Sequence, residues 1–200
     1  MSLEKNTLEF LKATISSHAS FNALSAIQNY IVSDEKRSAL VSLSGFAKFV
    51  RKMSNTATME EVEISEDIAF VKAYLDMELL RFGDDIVFDV SIEEEVEMSM
   101  EKVPSFILQP TIEKMLLMGL KSGSRDFTLK VNMEMEATNI KATIGLNKQL
   151  DIKVLKEFSP EQANRMQLLE ERIKLVSKRI EIVEGNEKNQ YKAVIRIPLN

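Results

Sequence analysis

The sequence predicts an α+β protein: an N-terminal antiparallel helical hairpin, then helices layered on a mixed, mostly antiparallel sheet. Three observations carry that expectation. Neither Gly nor Pro interrupts Leu3 to Val32, where Leu8, Leu11 and Ile15, then Leu24, Ile27 and Ile31, recur at helical spacing. Phe127, Leu129, Val131, Met133 and Met135 alternate with Thr128, Lys130, Asn132 and Glu134, the period of a half-buried strand. Ser159-Pro160-Glu161-Gln162 opens a helix between strand patterns, with Ser as N-cap, Pro at the first position and Gln placed for a capping box.

The remaining elements follow in order. Ser33-Asp34-Glu35 reads as a polar turn whose Ser or Asp caps a second helix over roughly 35–54, carrying Leu40, Leu43, Phe46, Ala47 and Val50. Both helices are apolar over more than one narrow stripe, so the hairpin is expected to pair with a second copy. A third helix spans about 66–81 on Ile64, Ile68, Val71, Leu75 and Leu79, with Glu66 and Asp67 suiting its first-turn dipole. Ile86, Phe88, Val90 and Ile92 then alternate as a strand, and Glu93-Glu94-Glu95 reads as a solvated loop.

Pro104 opens a helical segment reaching Leu120, with Pro110 near its first turn. After the 127–135 strand, Ile140, Ala142 and Ile144 return, and Met166, Leu169, Ile173 and Val176 give the last helix its buried face. Strands near 179–184 and 191–197 close the chain across the turn Gly185 to Asn189. The boundary between hairpin and layered unit is placed at 58, giving units 1–58 and 59–200.

Composition narrows the function classes. Apolar residues make up 44% and charged residues 28% of 200, enough for a sizeable core. With no cysteine, disulfides and thiolate sites are excluded, and the single histidine, His18, leaves no clustered imidazole site. A net charge of −5 argues against a nucleic-acid surface. No apolar run approaches the ~18 residues of a membrane span, and MSLEKNTLEF is too charged for a signal peptide. The expectation is a cytoplasmic protein with no membrane contact of its own. Eleven methionines read as core filling. Lys48, Arg51 and Lys52 read as a solvated face, and the pairs Glu60-Glu61 and Asp84-Asp85 share no acid/base geometry.

Three segments resemble the LytS/YehU-type sensor histidine kinases. Ile15-Ser-Ser-His18-Ala-Ser-Phe21-Asn22-Ala-Leu24 is similar to that family's phosphoacceptor segment, INPHFLFNAL. Glu63 to Ile68, continuing through Ala73-Tyr74-Leu75-Asp76-Met77-Glu78 to Arg81-Phe82-Gly83-Asp84, resembles its YLxIExxRF helix. Val103-Pro104-Ser-Phe-Ile-Leu-Gln109-Pro110-Thr-Ile-Glu113-Lys114-Met-Leu-Leu-Met118-Gly119 looks like IPPLLLQPLVENAIKHG, the first nucleotide-binding box. The resemblance implies a dimerising, histidine-bearing hairpin followed by a GHKL-type ATPase-like α/β sandwich. It also implies His18 as candidate phosphoacceptor, and a response regulator or another signalling protein as partner. Such chemistry needs an imidazole nucleophile, Mg²⁺ on the phosphates, and glycine-rich turns that approach them closely.

The chain departs from that pattern at the nucleotide boxes. Lys114 stands where the family has its Mg²⁺-ligating asparagine and Met118 where it has histidine, while Glu113 keeps the glutamate. At 4 Å an ammonium and a unit positive charge repel by about 4 kcal/mol at an effective dielectric near 20. Leu146-Asn147-Lys148 stands at Asp-Asn-Gly, and a leucine accepts no bond from adenine, whose unpaired donor costs about 1–3 kcal/mol. Ala163-Asn164-Arg165-Met166 and Leu168 stand at Gly-x-Gly-Leu-x-Asn, and no glycine occurs from Leu146 to Glu184.

The reading is a dimeric pseudokinase of two-component signalling, acting as scaffold or phosphotransfer module through His18. No cofactor and no metal are expected, and the degenerate positions are Glu113, Lys114, Leu146 and Asn147. Two alternatives stand beside it. One is an active kinase using ATP and Mg²⁺ to autophosphorylate His18. The other is a pure interaction module in which His18 is incidental and Phe21 and Asn22 are packing and helix-fit residues.

Overall fold

The computed structural model describes residues 18–82, 86–122, 126–150, 158–177, 179–187 and 190–199. The part of the first expected helix before His18 lies outside them. Helix α1 (His18–Val32) and helix α2 (Lys36–Ala57) form the hairpin, joined by a turn in which Asp34 takes φ 57. The expected side-chain cap is not formed. Glu35 is the N-cap and makes no side-chain capping bond: its carboxylate accepts from the Ser38 hydroxyl at 3.2 Å, and its amide donates back to the Tyr30 carbonyl beside left-handed Asp34. Ala23, Phe49, Met53 and Ala57 turn inward, and Phe49 lies 5.7 Å from Phe70 and 6.3 Å from Tyr74. Those two aromatics belong to helix α3 (Ile64–Phe82), so one core runs from the hairpin into the following unit.

A small sheet missing from the expected order comes next. Strand β1 (Glu61–Glu63) pairs antiparallel with β3 (Lys102–Pro104). Three-residue strands show no alternation that a sequence pattern reveals. Pro104 therefore ends a strand, and the helix expected from it begins five residues later as α5 (Gln109–Lys121), with Pro110 where a missing amide costs nothing. The supposed acidic loop is likewise part helix: α4 (Glu94–Glu97) winds one turn after strand β2 (Ile86–Ile92) and buries Val96.

The main sheet adds β4 (Phe127–Met135), β5 (Asn139–Leu146), β6 (Glu181–Glu187) and β7 (Gln190–Pro198) in the order β2-β4-β5-β7-β6. Among the described strands only β2 and β4 run parallel. A register such as Val131 opposite Ile144 puts Phe127, Leu129, Val131 and Met133 on one face with Ile140, Ala142, Ile144, Ala193, Ile195 and Ile197. Each is at most 2% exposed, so the alternation read from sequence marks the core face. Gly185, Asn186 and Glu187, expected in a turn, continue β6 as far as the pair Glu187–Gln190.

Helix α6 (Pro160–Val176) starts as read: Ser159 Oγ accepts from Gln162 N, and Gln162 Oε1 accepts from Ser159 N. Met166 and Ile173 are buried on it, while Leu169 has no described side chain. Among the described residues no helix is long and apolar enough to cross a membrane. Four expected core positions are corrected: Leu79 is exposed, and so are Met59, Met98 and Met100, which sit on short loops and helix ends rather than on inward faces.

Candidate functional site

The groove to which the nucleotide boxes map begins with the way α5 is held. Asp67 on α3 is fully buried, and its Oδ1 accepts from Phe106 N at 2.8 Å and its Oδ2 from Leu108 N at 3.2 Å. Ser105 adds two bonds, N to Glu60 O at 3.0 Å and Oγ to Met59 O at 2.7 Å. Phe106, at φ 64, turns the chain in the left-handed region and packs edge-on against Phe70 at 4.9 Å. These contacts fix where α5 starts and thus the heading of Glu113 and Lys114. Burial pushes the Asp67 carboxyl up to about 7, against three backbone N–H donors that favour its charged form. The sequence reading gave Asp67 only a first-turn dipole role. A better signal was its helical spacing with Ile64, Val71 and Tyr74, an acid on an apolar face.

Along α5, Glu113 is buried and Met118 is wholly within the core. Lys114 Nζ donates to Glu184 Oε2 of β6 at 2.6 Å, both side chains about one-fifth exposed. Tyr191 on β7 donates its hydroxyl to the same oxygen at 3.2 Å. Burial, and next the neighbouring Glu184 charge, push the Tyr191 hydroxyl up to about 12, so it remains a donor. The ammonium is thus engaged by a carboxylate 70 positions away in sequence. Sequence reasoning named Lys114 but missed Glu184 and Tyr191, because nothing local links them.

At the end of β5, Leu146 is buried opposite Leu129 and Tyr191. Asn147 extends the ladder onto β4: its N donates to Thr128 O at 3.2 Å and its Oδ1 accepts from Thr128 N at 2.9 Å. Lys148 folds back so that Nζ lies 4.7 Å over the Phe127 ring and 3.5 Å from Gly119 O. Burial holds that ammonium below its ordinary pKa. Asn186 then clasps Leu150, accepting from its N at 3.3 Å and donating to its carbonyl at 3.1 Å. Ala163 to Leu168 lie inside α6, with Ala163 N bonded to Ser159 O, so their amides serve the helix rather than a phosphate turn.

His18 is the first described residue of α1, and its side chain and that of Asn22 lie outside the described structure. Phe21 is 62% exposed, so the chain's own packing does not account for it. Leu24, Ile31, Leu40 and Leu43 are exposed with it on the two hairpin helices.

A family model described as histidine kinase matches residues 6–86. The sensor histidine kinase YpdA of Escherichia coli strain K12 is 29% identical over 119 residues, 58% of this chain and 20% of that protein. The sensor histidine kinase BtsS of the same strain is 32% identical over 118 residues, with the same coverage. The sensor protein LytS of Streptococcus mutans is 27% identical over 142 residues, 71% of this chain and 24% of the relative. The chain thus spans about a fifth of the length of these curated relatives. Among solved structures, a bacterial phosphotransferase matches with a TM-score of 0.51 at 13% identity, covering 96% of this chain and 95% of that one. A nucleotide-free catalytic domain of the histidine kinase ThkA matches with a TM-score of 0.50 at 15% identity, covering 70% and 99%. These two likenesses show the histidine-kinase catalytic fold.

Proposed function

Because the chain belongs to the LytS/YehU-type sensor histidine kinase family, we propose that it is a two-component signalling protein that keeps the kinase fold without using ATP. It resembles the kinase portion of those sensors. The observation that carries the pseudokinase reading is the Lys114–Glu184 ion pair. It sets an engaged ammonium where the family places a Mg²⁺-ligating amide, and a second ammonium replaces the glycine at Lys148. Mg²⁺ and adenine each lose a ligand there, and no residue from Leu146 to Glu184 is a glycine that lets backbone approach a phosphate.

Residues 1–58 serve as the dimerising hairpin and 59–200 as the ATPase-like unit. The exposed apolar residues Phe21, Leu24, Leu40 and Leu43 support a homodimer seam. His18 on that hairpin is the candidate phosphoacceptor, exchanging phosphate with a response regulator or another signalling protein. The protein works in the cytoplasm with no resident cofactor.

Light scattering is expected to give twice the chain mass, and Leu40→Glu with Leu43→Glu to give monomers that keep their secondary structure. A monomeric wild-type protein would refute the seam. Incorporation of phosphate from Mg-ATP that disappears in His18→Ala would replace the pseudokinase reading with the active-kinase one.

A further inference from the structure

The two edges of the main sheet are guarded differently. Strand β6 carries Glu181, Gly185, Asn186 and Glu187 along its edge, the charges and breakers with which a sheet discourages a further strand. Strand β2, Ile86–Ile92, has no Pro, no Gly and no Lys, and makes seven consecutive pairs with β4 without a bulge. Among the described residues no strand pairs with its other side. Its core-facing row also runs out of cover. Ile86 is buried, but Phe88, Val90 and Ile92 are only half-buried, although their register partners Leu129, Val131 and Met133 are at most 1% exposed. Val87, on the opposite face, is 55% exposed. The strand's one charge, Asp89, is drawn to Lys130 on β4 at 3.3 Å and so does not block the edge.

We infer that β2 takes up an extended segment of a partner protein as a sixth strand, a segment with alternating apolar residues and basic residues at its ends. Main-chain bonds to the open edge hold such a segment, and its alternate side chains complete the apolar row over Phe88, Val90 and Ile92. Charge selects the occupant. From Asp84 to Glu101 the chain carries eight acidic residues and no basic one. Lys130 answers Asp89 and Lys72 answers Glu97, but Glu94 and Glu95, just past the strand, are exposed and enter no ion pair among the described residues. Beside them, where Glu93 accepts from Met135 N, Glu134 and Glu136 share the single ammonium of Lys141. This end of the strand is therefore net negative and attracts a basic partner. A second copy is disfavoured by the same charges. Antiparallel pairing of two β2 strands sets the end that follows Asp84-Asp85 against the partner's Glu93 to Glu95, like against like. The edge lies across the sheet from Glu184 and includes no residue of the nucleotide boxes.

The test is an amide-resolved NMR titration of the full chain with the peptide Lys-Lys-Val-Thr-Val-Thr-Val-Lys-Lys. Two controls run beside it: the same peptide with glutamate for every lysine, and the lysine peptide N-methylated at its five central amides. The expected result is a saturable shift of the Val87 to Ile92 amides, with slowed hydrogen exchange at alternate positions. The lysine peptide should bind about tenfold more tightly than the glutamate peptide, and the N-methylated one not at all. Glu94→Lys with Glu95→Lys is expected to weaken the lysine peptide about tenfold and to strengthen the glutamate peptide, a gain that an unfolded variant cannot show. Absence of a saturable shift by about 5 mM lysine peptide overturns the site. Undiminished binding of the N-methylated peptide overturns strand addition, and equal affinity for the two charged peptides overturns the basic partner. Shifts confined to β6 or to the hairpin overturn the choice of edge. None of these outcomes bears on whether the chain uses ATP.

Discussion

Replacing Asp67 with alanine is expected to destabilise the protein by about 3 kcal/mol at pH 5, read from urea unfolding. The Asp67 carboxyl group is the acceptor for two buried amides, Phe106 N and Leu108 N, and each buried donor left without one costs about 1–3 kcal/mol. The same bonds hold Phe106 in the left-handed region, where a non-glycine residue stores about 1 kcal/mol or more. The cost depends on pH in a definite direction. In the unfolded chain the carboxyl titrates near 3.8, and in the folded chain near 7. Between those values the native state holds a proton that the unfolded state has released. Stability from this group is therefore greatest below about pH 4 and falls, by up to about 1.4 kcal/mol per pH unit, until pH passes 7. The difference between wild-type and Asp67→Ala stabilities should shrink as pH rises from 4 to 7 and then level off. Parallel pH profiles for the two proteins would contradict the burial assigned to Asp67.

Gly119→Ala is expected to cost about 2 kcal/mol and lower the melting temperature by about 6 °C. A Cβ at this position meets Cζ, Cε2 and Cε1 of Phe127 at 2.5, 2.6 and 2.9 Å. The ring has little room to withdraw: Phe127 is 2% exposed, and the Lys148 ammonium lies over it. Close packing converts that overlap into displacement of α5 from β4. Phe127→Leu in the Gly119→Ala background should recover part of the loss, and additive effects of the two changes would show that the clash is not its source. The glycine is thus used for a close helix–strand approach rather than for its backbone freedom.

Much of the fold was legible because its signals are local. The strand at 127–135 alternates over nine residues, and Ser159 to Gln162 carries its capping logic within four positions. What escaped was non-local or one turn long. The pairing of Glu61–Glu63 with Lys102–Pro104 joins strands too short for a period, and α4 winds from a run of glutamates that gives no apolar stripe. At the candidate site, the sequence marks Lys114, Leu146 and Asn147 as departures from the family's nucleotide boxes. It gives no hint of the contacts they make. Lys114 finds Glu184 and Tyr191 only once β6 and β7 lie side by side, and Asn147 finds Thr128 only across β4 and β5. Asp67 was misread because its partners, the amides of Phe106 and Leu108, are about 40 residues away and carry no side-chain signature. His18 lies on α1, and its side chain is outside the described structure.

The central claim is that Lys114, Asn147 and Lys148 have replaced nucleotide binding with internal contacts. A calorimetric titration of Mg-ATP into the purified full chain tests it most directly. The account predicts no saturable heat up to about 5 mM nucleotide. A saturable isotherm with a dissociation constant at or below about 1 mM, weakened by substitution of Glu113, would contradict it and restore a working nucleotide site.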